Sequence, residues 1–196
     1  MITVCMDTSH VFLALGIIRD DRVIASFQES CWKKQSEEIF PQLMRLMDEA
    51  GLQPEDIDSV VISGGPGSYT GVRIAMTVAK VFCSMRSVPL YTIPTLLLYA
   101  GQKDCRVVLD ARGKRAYTAR CRAGKMLGEQ QVLPLEDIPQ DAPEMVGDLH
   151  LLQQEDCWPD LIANFLALKE EWQPAENVHL VVPEYLKGSE AYMVKK

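Results

Sequence analysis

No stretch of this 196-residue sequence approaches the ~18 consecutive apolar residues of a membrane span. The amino terminus, MITVCMDTSHVF, has no basic region ahead of its apolar residues, and Asp7 interrupts them early, so no signal peptide is expected. Histidine is scarce: His10, His150 and His179 are scattered, with no HExxH or HxxxH pair to hold a metal from one helix face. The six cysteines, Cys5, Cys31, Cys83, Cys105, Cys121 and Cys157, contain no CxxC pair, and several sit inside apolar runs. Buried free thiols in a reducing cytoplasm are expected, not a disulfide framework. Basic residues are outnumbered, 20 against 27 acidic, for a net charge of −7. That balance argues against a surface that clamps polyanions alone, so any nucleic acid would be held through a partner. No GxSxG elbow occurs, and Ser68 in GPGSYTG has no histidine nearby in sequence to activate it. The expectation is a cytoplasmic protein with no metal, cofactor or catalytic constellation of its own.

What is present reads as mixed α/β. ITVCM, VFLALGII and VIASFQES are apolar runs separated by the turns Asp7-Thr8-Ser9 and RDDR, which predicts a three-stranded antiparallel meander. SEEIFPQLMRLMDEAGL predicts a helix with Ser36 as N-cap, Glu37 and Glu38 in the first turn, a bend or restart at Pro41, and an end at Gly51. The strand VVIS follows, then SGGPGSYTGVR, then the helical run VRIAMTVAKVFCSM, the strand SVPLYTI and a further helix in TLLLYAGQ. Meander, helix, strand, helix and strand in that order describe a ribonuclease-H-like lobe. Sliding the sequence by 103 positions lays VCMDTSHVFLALGIIRDDRVI over VVLDARGKRAYTARCRAGKML, with Asp7 on Asp110 and Arg19 on Arg122. A second, reduced lobe is therefore predicted, giving residues 1–103 and 104–183 as two lobes of an actin-like fold, with the tail 184–196 packing back on the first. Within the second lobe, DCWPDLIANFLALKEEW is predicted to hold a helix, and HLVVPEYL a final strand and turn.

The glycine loop fits neither standard phosphate cradle. Gly65, Gly67 and Gly71 are misspaced for GxxxxGK[ST], Val72 stands where the lysine belongs, and Thr70 occupies the third glycine of GxGxxG. Two readings stay open: a weaker anion or nucleotide site using Gly65, Gly67, Ser68, Arg73 and Asp7, or glycines that only let the chain reverse tightly. Asp7 and Asp110 occupy the positions where actin-like ATPases place phosphate-loop and metal-binding acids, although an aspartate at a hairpin turn is also ordinary turn chemistry. The two helices carry more apolar surface than the ~100° a single sheet would cover. On the first, Leu46, Ile39, Ala50 and Leu43 form the core stripe, and Phe40, Met44 and Met47 widen it. On the second, a narrow polar strip of Thr77, Ser84, Arg73 and Lys80 leaves Val72, Met76, Ala79 and Cys83 as surplus. A partner-binding face is predicted from Phe40, Met44, Met47, Val72, Met76, Ala79, Lys80 and Cys83.

DTS near the start, SEEIFPQLMRLMDEAGL, GGPGSYTGVRIAMTVAK, IPTL, LDAR and the closing VPEYLK resemble, in order, the bacterial TsaB (YeaZ) family. The resemblance implies an actin-like accessory subunit that docks the related TsaD subunit through its two first-lobe helices. The TsaD-like partner would supply the metal and catalytic site. With the TsaE-like ATPase, the complex would transfer a threonylcarbamoyl group to the adenosine beside the anticodon of tRNA. It further implies that tRNA is met only through the complex, that ATP or ADP can sit at the subunit junction, and that the same helices can form a homodimer. The chain departs from the family at Gln35-Ser36, where His usually precedes Ser or Thr, and in LDARGKRAY, whose turn is altered. The alternative implied by the superfamily is an ATP-binding kinase-like or glycoprotease-like enzyme.

Overall fold

In the computed structural model, residues 1–31 and 33–186 are described. Strands β1 (Ile2–Asp7), β2 (Phe12–Arg19) and β3 (Arg22–Ser30) form the predicted antiparallel meander. Next come α1 (Gln35–Ala50), β4 (Ser59–Ser63), α2 (Tyr69–Arg86), β5 (Leu90–Ile93) and α3 (Thr95–Ala100). β4 and β5 add parallel to β1, the arrangement of a ribonuclease-H-like lobe. The second lobe is built on β6 (Cys105–Asp110), β7 (Arg115–Arg122), β8 (Lys125–Met126), β9 (Gln131–Pro134) and β10 (Glu144–Gly147). The helix α4 (Leu161–Ala167) follows, and β11 (Gln173–Pro174) returns to pair antiparallel with β5 at the edge of the first sheet. Strand order is β11-β5-β4-β1-β2-β3 in the first sheet and β10-β6-β7-β8 in the second, with β9 also on β7.

The internal repeat is structural. Adding 103 to the bounds of β1 (2–7) gives those of β6 (105–110), and adding it to β2 (12–19) gives those of β7 (115–122). Asp7 and Asp110 each close the first strand of a hairpin. The copy degrades at its third strand: β3 (22–30) shifts to 125–133, where the chain forms β8, breaks, and resumes as β9. Gly128, at φ +92°, lies in that break.

Several local expectations are corrected. α1 begins one residue before Ser36, with Lys34 at the cap and no side-chain cap bond. The helix runs unbroken through Pro41, because Pro41 and Glu37 are both exposed and water can meet the carbonyl left without an amide partner. The helix in DCWPDLIANFLALKEEW is confined to α4, where Asp160 caps the amides of Ile162 and Ala163. The expected strand in HLVVPEYL is a short 3₁₀ turn, Val178–Leu180, followed by irregular chain. Of the tail expected to return, the Glu184 amide donates to the Gly64 carbonyl at 2.8 Å, and residues 187–196 lie outside the described residues.

Two cores result. One lies between the first sheet and α1 and α2, around Met6, Leu15, Ile39, Leu46, Ala75 and Ala79. The other fills the space between the sheets: α4 packs on β1, β2 and β3, α3 packs on β6 and β7, and Leu96, Tyr99, Phe165 and Trp172 close it. All six cysteines are free thiols. Burial pushes the thiols of Cys83 and Cys105 up to about 11 and that of Cys121 up to about 12, which removes their nucleophilic form at neutral pH.

A buried cation on β6 makes the second lobe sensitive to one acid. Arg106, 6% exposed, donates Nε and Nη2 to Asp141 at 2.7 and 2.8 Å, and Nη1 to Thr118. The guanidinium holds the Asp141 carboxyl below its usual range. A depressed carboxylate stabilises the fold above its unfolded pKa and loses that contribution as the pH falls through the folded value. Asp141→Asn is therefore expected to cost about 1.5 kcal/mol at pH 7, the low end for a charged hydrogen bond because Asp141 is half-exposed. Urea titrations of both proteins should show the gap narrowing as the pH falls below ~4.

Candidate functional site

The glycine loop is a packing joint. Its two close approaches are to the β1–β2 turn: the Ser68 amide donates to the Ser9 carbonyl at 2.7 Å, and Thr8 Oγ1 donates to the Gly71 carbonyl at 2.6 Å. The Ala75 amide in turn donates to Thr8 Oγ1 at 3.1 Å, and Ser68 Oγ caps α2 through the Gly71 amide. A Cβ on Gly67 would sit 2.4 Å from the Ser9 carbonyl oxygen, and one on Gly71 2.2 Å from that of Thr8. These glycines let α2 seat directly on the DTS turn. Tyr117, from the second lobe, donates to the Gly67 carbonyl at 3.4 Å, so the joint also meets β7.

The residues proposed from sequence as an anion site do not converge. Asp7 is fully buried and accepts from the Ser63 hydroxyl, the Ser9 amide at 3.2 Å and Tyr99 at 3.4 Å. Desolvation by burial pushes its carboxyl up, and no ligand can reach it. Gly65 is covered by the chain at Glu184, which a Cβ would meet at 2.6 Å. Arg73 lies along α2, its guanidinium 4.6 Å from the Tyr69 ring centroid and Nη1 donating to Tyr69 Oη at 2.8 Å. Of the two readings of this loop, tight reversal is the one its geometry follows.

An apolar face is present between the two helices, but on α2 it is made of residues other than those predicted. Val72, Met76, Ala79 and Cys83 are all buried against the sheet in the core of the first lobe, so none can touch a partner. Lys80 is also engaged, its Nζ donating to the carbonyls of His179 and Val181 at 2.8 and 2.9 Å. The outward apolar residues are Val81 and Met85, 55% and 80% exposed, with Val78 and Phe82 half-buried beside them. Across from them α1 presents Phe40 and Met44, also exposed, and half-buried Leu43 and Met47, as its periodicity predicts. Between the helices runs a groove of about 350 Å³, floored by Val4, Met6, Ile57 and Val60. Thr77 is the one polar residue in its lining.

The error on α2 has an identifiable cause. A helix that is apolar nearly all round does not reveal by periodicity which side faces its sheet. A partial signal is size: Gly71, Ala75, Ala79 and Cys83 recur every four residues and form one smooth ridge that lets the helix approach the strands closely, with Val72 and Met76 buried beside it and Val81 and Met85 outside.

Comparison with known proteins fits this architecture. The family model described as "TsaD: tRNA N6-adenosine threonylcarbamoyltransferase" matches residues 27–153, more than half of the chain. The TsaB protein of tRNA threonylcarbamoyladenosine biosynthesis from Bacillus subtilis is 28% identical over 97% of this chain and 96% of its own length. The chain belongs to that family, in its TsaB (YeaZ) branch. TsaB of Escherichia coli is 27% identical over 80% of this chain and 73% of its own length. The solved structure of YeaZ from Pseudomonas aeruginosa superposes with a TM-score of 0.75 at 21% identity, covering 94% of this chain and 99% of that one. A second structure from that organism, of a protein with similarity to the peptidase YEAZ, gives 0.79 at 22% identity, covering 95% and 99%. The fold of this TsaB-family chain is thereby the actin-like one, with two ribonuclease-H-like lobes.

In this TsaB-family chain Gln35 is buried and donates from Nε2 to the His10 carbonyl at 2.8 Å. It ties the start of α1 to the β1–β2 turn that also holds α2. Both helices of the face are thus referenced to one short turn. Among the described residues no helix is long and apolar enough to cross a membrane.

Proposed function

We propose that this chain is a non-catalytic docking subunit of tRNA threonylcarbamoyladenosine biosynthesis, receiving a TsaD-type catalytic subunit on the α1–α2 face. The observation that carries the reading is the apolar groove between α1 and α2, lined by Phe40, Leu43, Met47, Val78, Val81 and Phe82. Exposed apolar surface of this extent, flanked by charged residues such as Arg45, Glu49 and Arg73, marks a protein interface. The family name supplies the partner class. In this reading the partner brings the metal and catalytic groups, a TsaE-type ATPase and tRNA are met through the complex, and ATP or ADP sits at the subunit junction. Two copies of the chain can cover the same face as a homodimer when the partner is absent. The six free cysteines accord with a reducing cytoplasm.

The test is co-purification with the TsaD-type protein of the same organism, followed by a tRNA threonylcarbamoylation assay with and without this chain. A heterodimer and a marked loss of modification without the chain are expected. Absence of any complex, or transfer by this chain alone, would overturn the reading.

The kinase-like alternative makes a different forecast. An actin-like kinase binds nucleotide between its lobes, and here Tyr99 of α3 and Phe165 of α4, with Trp158 packed on them, fill the space between the two sheets. Calorimetry of the isolated chain with ATP and magnesium is expected to register no binding at millimolar nucleotide. A saturable micromolar site would instead favour the enzyme reading.

A further inference from the structure

Away from the helix pair, the carboxyl end of β10 gathers three metal-binding side chains. The chain leaves β10 at Asp148, makes the 3₁₀ turn Leu149–Leu152, and returns so that Cys157 pairs with Gly147. This brings one donor atom each from Asp148, His150 and Asp156 within 4.8 Å of one another. The Asp156 carboxylate accepts the His150 amide at 2.8 Å and lies 2.9 Å from His150 Nδ1.

Asp148 is the unusual member. It is 4% exposed, and its Oδ2 accepts the Asp110 amide at 2.6 Å. The same oxygen lies 2.9 Å from Nε2 of His10, a side chain that is itself 9% exposed. That contact is at ion-pair distance, and Nε2 makes no hydrogen bond among the described residues. Oδ1 accepts no hydrogen bond from the described residues. A buried carboxylate is costly unless its charge is met. One oxygen of Asp148 is therefore oriented by the β6 end and the β1–β2 turn, while the other takes no hydrogen bond from the described residues. An oriented carboxylate with a spare oxygen is how second-shell bonds prepare a metal ligand.

We infer that Asp148, His150 and Asp156 bind one divalent transition-metal ion, with zinc the best match. Two carboxylate oxygens and one imidazole nitrogen suit borderline cations and not calcium or magnesium, which take oxygen alone. A tetrahedral ion at ~2.1 Å from its ligands needs donors ~3.4 Å apart, which rotation of the exposed His150 and Asp156 can provide, and water completes the shell. The ion would brace the β10 end against β6 through Asp110, and against the first lobe through His10.

The experiment uses the full, tag-free chain, stripped with chelator and kept reduced, titrated with zinc chloride by calorimetry and weighed by native mass spectrometry. One equivalent is expected, with the affinity falling at least tenfold in His150→Ala and in Asp156→Asn. Zinc should raise the melting temperature of the wild type and not of either variant. His150 is exposed, so His150→Ala is expected to keep the wild-type circular dichroism. Cys157 is the neighbouring thiol, and Cys157→Ser should bind as the wild type does. Cobalt substituted for zinc should show no sulfur-to-metal charge-transfer band. No bound equivalent, full binding in folded His150→Ala, or loss of binding in Cys157→Ser would each overturn the site.

Discussion

Val81→Glu, alone or with Met85→Glu, is expected to abolish the complex with a TsaD-type subunit while leaving the fold intact. Both side chains are more than half exposed in the isolated chain, so substitution should alter stability by no more than ~0.5 kcal/mol. Within a docked groove the same glutamate would be an unpaired charge at a desolvated centre, where anchor losses run to ~2–4 kcal/mol or more. That range corresponds to a drop in affinity of roughly 30- to 1,000-fold. Calorimetry of each variant against the partner measures it, with circular dichroism and thermal melts as the fold check. Phe40→Asp on α1 should behave alike, since it lines the same groove. Met76→Asp and Ala79→Arg form the contrast: both residues are buried under α2, so these variants should fail by unfolding. A complex of wild-type affinity from folded Val81→Glu, Met85→Glu protein would place the interface elsewhere.

Gly71→Ala should destabilise the chain by about 3 kcal/mol, at the upper end of overpacking costs. In an ordinary helix the same change stabilises by up to ~1 kcal/mol, so the sign itself is informative. The reason lies at the joint: the new methyl would stand 2.2 Å from the Thr8 carbonyl oxygen, a backbone atom that no rotamer change can move. α2 would have to lift off the β1–β2 turn, breaking the Thr8 bonds to Gly71 and Ala75. Gly67→Ala, with its methyl 2.4 Å from the Ser9 carbonyl oxygen, should do similar damage. Gly64→Ala is the control, because its nearest contacts would be ordinary ones at 3.6 and 3.7 Å. Urea denaturation reads all three. A Gly71→Ala midpoint at or above that of the wild type would show that the joint has slack. Because α2 carries half of the face proposed for docking, the same variant should also weaken docking beyond what its stability loss explains.

Part of this was legible from residue order alone. The meander, the two first-lobe helices and the 103-residue repeat follow from period-2 and period-3.6 patterning, and β6 and β7 begin and end where the shifted β1 and β2 place them. The α1 side of the face was equally readable, because its apolar arc has a clear polar opposite. On α2 the apolar residues run almost all round, and only contact with the sheet separates Met76 and Ala79 from Val81 and Met85. The cluster of Asp148, His150 and Asp156 lay hidden for another reason. Histidine-pair motifs detect ligands on one helix face, whereas these three meet because the chain folds back after a 3₁₀ turn.

The glycine-rich segment SGGPGSYTGVR divides along the same line. Its composition by itself determined that neither a Walker nor a dinucleotide loop could form, since both need particular residues at particular spacings. It also allowed a tight strand-to-helix reversal as one of two open readings, because conformational freedom is a property of glycine wherever it stands. Only the tertiary structure decided what that reversal is for. Gly67 and Gly71 are needed because Ser9 and Thr8, some sixty residues earlier, bring backbone oxygens to within a methyl's reach, and no local pattern encodes the position of a distant carbonyl. The same long-range packing buried Asp7, turned the small ridge of α2 inward together with Val72 and Met76, and left Val81 and Met85 facing outward.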